Sequence, residues 1–112
     1  MARFKLVFFA PIADTKTILS GIFKKYPHNV GKIGDYSECA FVSSGTGQFR
    51  PGSKTNPTIG HPGELEYVDE NKVEVVVNDN GANEEIRGAI EELKKLHPYE
   101  EVAYDVFRLE DF

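Results

Sequence analysis

Arg3-Phe4-Lys5-Leu6-Val7-Phe8-Phe9-Ala10 is the stretch that decides the fold. It is too short for a buried helix. As an extended chain it places Phe4, Leu6 and Phe8 on one face and Val7 and Phe9 on the other. A strand apolar on both faces belongs in the middle of a sheet, covered on two sides. On an edge the same run would be an aggregation hazard. The apolar residues after Lys5 superficially resemble a secretory leader, but Pro11 and Asp14 interrupt them, and a strand is the better reading. No run approaches the ~20 apolar residues that a membrane span needs. The expected location is the cytoplasm.

Working outward, Asp14 is placed to cap a helix running to about Lys25, with Ile18, Leu19, Ile22, Phe23 and Tyr26 as its apolar stripe and Pro27 as its stop. His28 to Asp35 reads as a turn, and residues 36–45 alternate as a strand containing Cys39, which is expected in the core. Residues 45–63 hold five glycines and three prolines and read as one long loop. Residues 64–78 read as a strand, kinked near Asp69–Asn71 and firmest at Val73 to Val77. Asn83 is placed to cap a second helix to about Leu96, with Ile86, Ala89, Ile90 and Leu93 buried. Glu84 and Glu85 in its first turn and Lys94 and Lys95 in its last match the helix dipole. Pro98 ends it, and residues 101–109 form the last strand.

The order β-α-β-β-α-β is that of the ferredoxin-like α+β sandwich: an antiparallel sheet with both helices on one face. The chain, residues 1–112, is expected to form a single domain. The strands carry apolar residues on both faces: Phe9 beside Phe8, Val76 between Val75 and Val77, Phe107 beside Val106. The sheet face without helices should therefore serve as an interface between subunits.

The net charge is −5, from 13 basic and 18 acidic residues, which argues against nucleic acid or an anionic membrane as partner. A single cysteine cannot form an internal disulfide, so nothing calls for an oxidising compartment.

Three places carry candidate chemistry. His97-Pro98-Tyr99-Glu100-Glu101 has a plain reading as a helix stop, with Tyr99 packed back on the helix. That leaves two carboxylates without a task. Glu100 or Glu101 could join His97, with His61 next, as ligands of a divalent metal, but adjacent residues of a strand point to opposite faces. In the loop, Gly45 and Gly47 with Arg50 and Lys54 could cradle a phosphate through backbone N–H groups and two cations. No helix follows these glycines, as the phosphate-binding fingerprints require, so an excursion between strands is the stronger reading. Cys39 with His61 is a weak pair. No spacing suggests nucleophilic catalysis, and a non-enzymatic protein is expected.

Several segments run in a specific order: Gly31-Lys32-Ile33-Gly34-Asp35-Tyr36-Ser37-Glu38-Cys39-Ala40-Phe41, Gly45-Thr46-Gly47-Gln48-Phe49-Arg50-Pro51, Asn56-Pro57-Thr58-Ile59-Gly60, Gly63-Glu64-Leu65-Glu66, and His97-Pro98-Tyr99-Glu100-Glu101-Val102-Ala103-Tyr104-Asp105. Together they closely resemble the insert domain of the YqfO branch of the Nif3 family, over nearly the whole chain. The resemblance implies a PII/CutA-like domain. It does not bring the family's dinuclear metal centre, whose ligands belong to flanking domains not present in this sequence. The GTP cyclohydrolase label attached to that centre is likewise not carried over. Likeness to CutA and PII proteins implies a homo-oligomer, a trimer, with the effector loop of PII lying where residues 45–63 lie here.

The leading expectation is then a trimeric binding or regulatory module whose clefts take a small-molecule ligand or a protein partner. Its ligand-binding residues would be Gly45, Gly47, Phe49, Arg50, Lys54, Gly60 and Tyr99. The alternatives are a divalent-metal-binding protein of CutA type, using His97, Glu100, Glu101 and His61, and an accessory to a nucleotide-acting enzyme.

Overall fold

A computed structural model describes residues 2–112. Strand β1 (Ala2–Pro11) is followed by a single 3₁₀ turn (Ile12–Asp14) and helix α1 (Thr15–Lys25). Strands β2 (Phe41–Phe49) and β3 (Glu66–Asp79) form an antiparallel pair, and helix α2 (Glu84–Leu96) leads to β4 (Tyr104–Leu109). The sheet order is β2-β3-β1-β4 and every pairing is antiparallel. This is the ferredoxin-like α+β arrangement expected from the βαββαβ order.

β1 lies in the centre, as its two-sided apolar pattern demands. Phe4, Leu6, Phe8 and Ala10 point into the core with Val73, Val75 and Val77 of the neighbouring strand. The stripes Ile18, Ile22, Phe23 and Ile86, Ala89, Leu93 close over them from the helices. The helices approach closely at Gly88, where a Cβ would collide with the Tyr26 ring. Burial of such side chains supplies the main driving force for the fold, roughly 1.5–3 kcal/mol for each large aliphatic or aromatic group.

The helix caps differ from the sequence reading. Asp14 makes no side-chain cap; instead the Thr15 hydroxyl donates to the Pro11 carbonyl at 3.0 Å. Asn83 is left-handed (φ 62°) and makes no side-chain cap either. Its place is taken by Asp79, at the end of β3. Asp79 Oδ1 accepts from the backbone N–H groups of Gly81 (2.8 Å) and Asn83 (2.9 Å), and Oδ2 accepts from Ile86 (3.0 Å). The residue has no exposed surface. Burial pushes its carboxyl up, but the N–H groups of Ile86, Gly81, Asn83 and Glu85 together outweigh that, and its pKa lies below the ordinary value.

Strand limits also move. Residues 36–40 lie outside any strand, and β2 instead runs on through Gly45 and Gly47 to Phe49, paired with β3 from Phe41↔Glu74 to Phe49↔Glu66. Cys39 is half-buried outside the strands rather than in the core. β3 is unbroken at the expected kink, and β4 starts at Tyr104 rather than residue 101. The last pair of β1 with β3 is Pro11↔Glu70, so beyond that row β2 and β3 continue as a two-stranded ribbon.

The sheet face without helices is more mixed than expected. Val7 (4% exposed) and Val76 (9%) are buried there, while Phe41 (64%) and Phe107 (54%) are open. Lys5, Lys72, Glu74 and Asp105 alternate with them along the rows. No helix among the described residues is long and apolar enough to cross a membrane.

Candidate ligand cleft

The residue before a proline is pushed out of the helical region. His97 accordingly adopts φ −75°, ψ 137° and ends α2, while its N–H still donates to the Leu93 carbonyl at 2.9 Å. The chain turns and the imidazole drops onto β1. Nε2 lies 2.7 Å from the Phe9 carbonyl, and Nδ1 accepts the Tyr99 N–H at 3.1 Å. A carbonyl requires a donor and an N–H requires a lone pair, which assigns the neutral Nε2–H tautomer. His97 is 7% exposed and acts as a pin between the 97–103 segment and the central strand. A second tie is the Phe9 N–H donating to the Ala103 carbonyl at 3.2 Å. Tyr99 packs on His97 (ring centroids 4.9 Å apart) and reaches Phe49 at the tip of the ribbon (6.4 Å).

From Phe49 the chain leaves the sheet, and residues 50–65 fold back over the ribbon. The base of this loop is closed by Gly63 N–H to the Pro51 carbonyl (2.7 Å) and by the Arg50 guanidinium to the Gly63 carbonyl (2.8 Å). Its middle is docked on the other segment. Asn56 N–H donates to Glu100 Oε1 (2.9 Å), and the Thr58 hydroxyl donates to the Pro98 carbonyl (2.8 Å). The two segments enclose a cleft of about 260 Å³, small for a ligand site but within reach of that class. Phe9, Phe49, Pro51, Ile59, Tyr99 and Ala103 give it an apolar lining, and Glu70, Glu100 and Glu101 bring carboxylates to it.

Glu70 sits on the helix-free face of β3, opposite Gly45 on one side and Pro11 on the other. Burial is the larger influence on its carboxyl and pushes its pKa up. Its carboxylate lies over Gly47, where any Cβ would collide with it. Gly47 is thus the residue that gives Glu70 room. The Tyr99 hydroxyl is shut off from solvent and finds no hydrogen-bond partner among the described residues. Burial first, then the charges of Glu70 and Asp14, raise its pKa.

No family model matches the chain. Individual proteins do. A GTP cyclohydrolase 1 type 2 homolog of Halalkalibacterium halodurans is 42% identical over 106 residues, covering 95% of this chain and 27% of that protein. Its counterpart in Mycobacterium leprae is 37% identical, over 94% of this chain and 26% of that protein. A Bacillus cereus protein related to NIF3 superposes with a TM-score of 0.78 at 33% identity, over 98% of this chain and 26% of its own. This chain is a small PII/CutA-like domain related to Nif3-family proteins. It spans about a quarter of the length of the curated relatives it matches. The wider fold likeness reaches CutA of Archaeoglobus fulgidus (TM-score 0.67, 14% identity, 98% of this chain and 86% of that one) and GlnK of B. subtilis (0.58, 18%, 97% and 86%).

Within this Nif3-related domain the sequence-predicted residues part company. Gly47, Phe49, Tyr99, Glu100 and Glu101 line the cleft. Gly45 is in β2, not in a loop, and does not line it. Arg50 is spent on bracing the loop base, Lys54 is exposed, and Gly60 (φ 86°) shapes the loop without lining the cleft. Gly45, Gly47, Arg50 and Lys54 therefore do not gather as a phosphate cradle: the glycines pair with β3, Arg50 is bonded to the Gly63 carbonyl, and Lys54 lies outside the cleft lining. The proposed metal ligands are likewise dispersed. Both ring nitrogens of His97 are taken, one Glu100 oxygen holds Asn56, and His61 is an exposed loop residue. Among the described residues no three or more His, Cys, Asp or Glu side chains converge as a metal site. Phe9, Ile59 and Glu70 were missed by sequence reasoning. Glu70 sits in Asp69-Glu70-Asn71, which reads from sequence as a kink in the strand, and its place over Gly47 follows only from the pairing of β2 with β3.

Proposed function

We propose that this domain is a cytoplasmic, non-enzymatic binding module in which the cleft takes a small ligand and the helix-free sheet face joins copies into a trimer. The observation that carries the reading is the docking of the 50–65 loop on Glu100 and Pro98, which encloses one lined cleft from two segments far apart in sequence. Loops positioned by a rigid sheet are where binding function concentrates. The exposed Phe41 and Phe107, interleaved with Lys5, Lys72, Glu74 and Asp105, form a surface of apolar and charged groups suited to a second copy. The activity in the relatives' name is not assigned here, since three quarters of those proteins lie outside the match. A nucleotide-handling role has little support, because no Lys, Arg or His lines the cleft to meet a phosphate.

Size-exclusion chromatography with light scattering tests the assembly. A mass three times that of the chain is expected, and Phe107→Asp is expected to shift it toward monomer. A wild-type protein that stays monomeric at micromolar concentration contradicts the reading.

A further inference from the structure

The cleft's chemistry points to a class of ligand. We propose that it selects a small organic cation: an ammonium group carried on an apolar body. The inference rests on the reading of the cleft as a ligand site and adds to it the sign of the charge that the site accepts.

Three glutamates, Glu70, Glu100 and Glu101, line the cleft, and no cationic side chain does. The nearby cations lie outside the lining: Arg50 is bonded to the Gly63 carbonyl, Lys54 is exposed, and Lys72, two residues along β3 from Glu70, opens beside the cleft rather than into it. An anion or a phosphate ester entering here would meet carboxylates at short range with nothing to neutralise it. A bare metal ion fits no better. Calcium asks for six or more convergent oxygens, and the acidic groups do not gather into a set of three around any point among the described residues. Carboxylates spaced along a wall suit a charge that is spread and partly shielded by carbon.

The rest of the lining agrees. Phe9, Phe49 and Tyr99 present rings, with Phe49 and Tyr99 tilted at 47° to each other. Aromatic faces attract ammonium groups, most strongly where water is excluded. Glu70 is the partly desolvated carboxylate that gains most from a cation, and the missing side chain at Gly47 is what lets its carboxyl lie at this place.

The test is NMR titration of the ¹⁵N-labelled full chain with three probes of one shape and different charge: phenethylammonium, 2-phenylethanol and phenylacetate. The expected result is that phenethylammonium moves the amides of Phe49, Ile59 and Tyr99 and binds tightest of the three. Glu70→Gln should weaken it about tenfold while leaving 2-phenylethanol unchanged. Glu101→Gln, an exposed change with little risk to folding, should weaken it in the same direction by a smaller factor. If phenylacetate or 2-phenylethanol binds in the cleft as tightly as the cation, the charge selectivity is overturned while the cleft remains a ligand site. If none of the three moves the cleft amides, the proposal and the ligand reading beneath it fall together.

Discussion

Strand β3 carries two acidic residues that meet opposite fates. Asp79, near its end, faces the helices, has no exposed surface and is saturated by backbone N–H groups that hold its pKa down. Glu70, toward the other end, faces the cleft, and burial without such donors pushes its pKa up. Strand and charge are the same; the difference lies in the supply of donors. A carboxylate that the fold satisfies is a cap. A carboxylate that the fold desolvates and leaves short of partners is a place for something else to bind.

The largest effect should come from the satisfied side. Asp79→Ala removes the acceptor of three backbone N–H groups and should lower unfolding free energy by about 3 kcal/mol, measured by urea denaturation. The pH dependence has a definite sign. Asp79 has a folded pKa below its ordinary 3.8, so its contribution is present above that value and is lost as the pH falls through the lower, folded one. The variant should show a correspondingly flatter loss of stability in acid.

Gly47→Ala comes next. Its Cβ has no space beside the Glu70 carboxylate, which must swing away, and the expected cost is about 1–2 kcal/mol with loss of the cleft's shape. Paired with Glu70→Gln the penalty should shrink, since a neutral amide is displaced more easily.

Glu70→Gln alone should behave opposite to Asp79→Ala. With its folded pKa above the ordinary 4.5, ionised Glu70 costs stability at neutral pH, and that cost fades as acid protonates it. The variant should match or exceed the wild type by up to about 1 kcal/mol near neutrality, the gap closing on acidification.

The smallest effect is expected in the loop. Thr58→Val removes one exposed hydrogen bond to Pro98 and should leave global stability within about 0.5 kcal/mol. Hydrogen exchange at the Asn56 amide, which donates to Glu100, should nevertheless quicken as the loop undocks more often.

The same contrast marks what could be read from sequence. Core elements were legible because periodicity reports burial: Phe4, Leu6 and Phe8 announced the central strand, and Ile86, Ala89 and Leu93 the second helix. β2 was misplaced because it is an edge strand of Ser, Gly and Thr with little apolar signal, and its extent is set by pairing with β3. Asn83 looked like the cap because helix signals are local, whereas Asp79 caps from the end of a strand. In the cleft, Tyr99 and Phe49 were legible as unusual residues in special segments. Glu70 was not, because its burial comes from the ribbon and from a loop docked across sequence distance. His97 stood out correctly but for another reason: Nε2 ties the end of α2 to β1 while Nδ1 holds the Tyr99 N–H.

The most direct measurement is a side-chain carboxyl NMR titration that follows Asp79 and Glu70 together in one sample. The account predicts that Asp79 titrates below 3.8 and Glu70 above 4.5, moving apart from their ordinary values in opposite directions. A Glu70 that titrates at or below 4.5 would mean a carboxylate already satisfied by the fold, and would contradict the cleft as described.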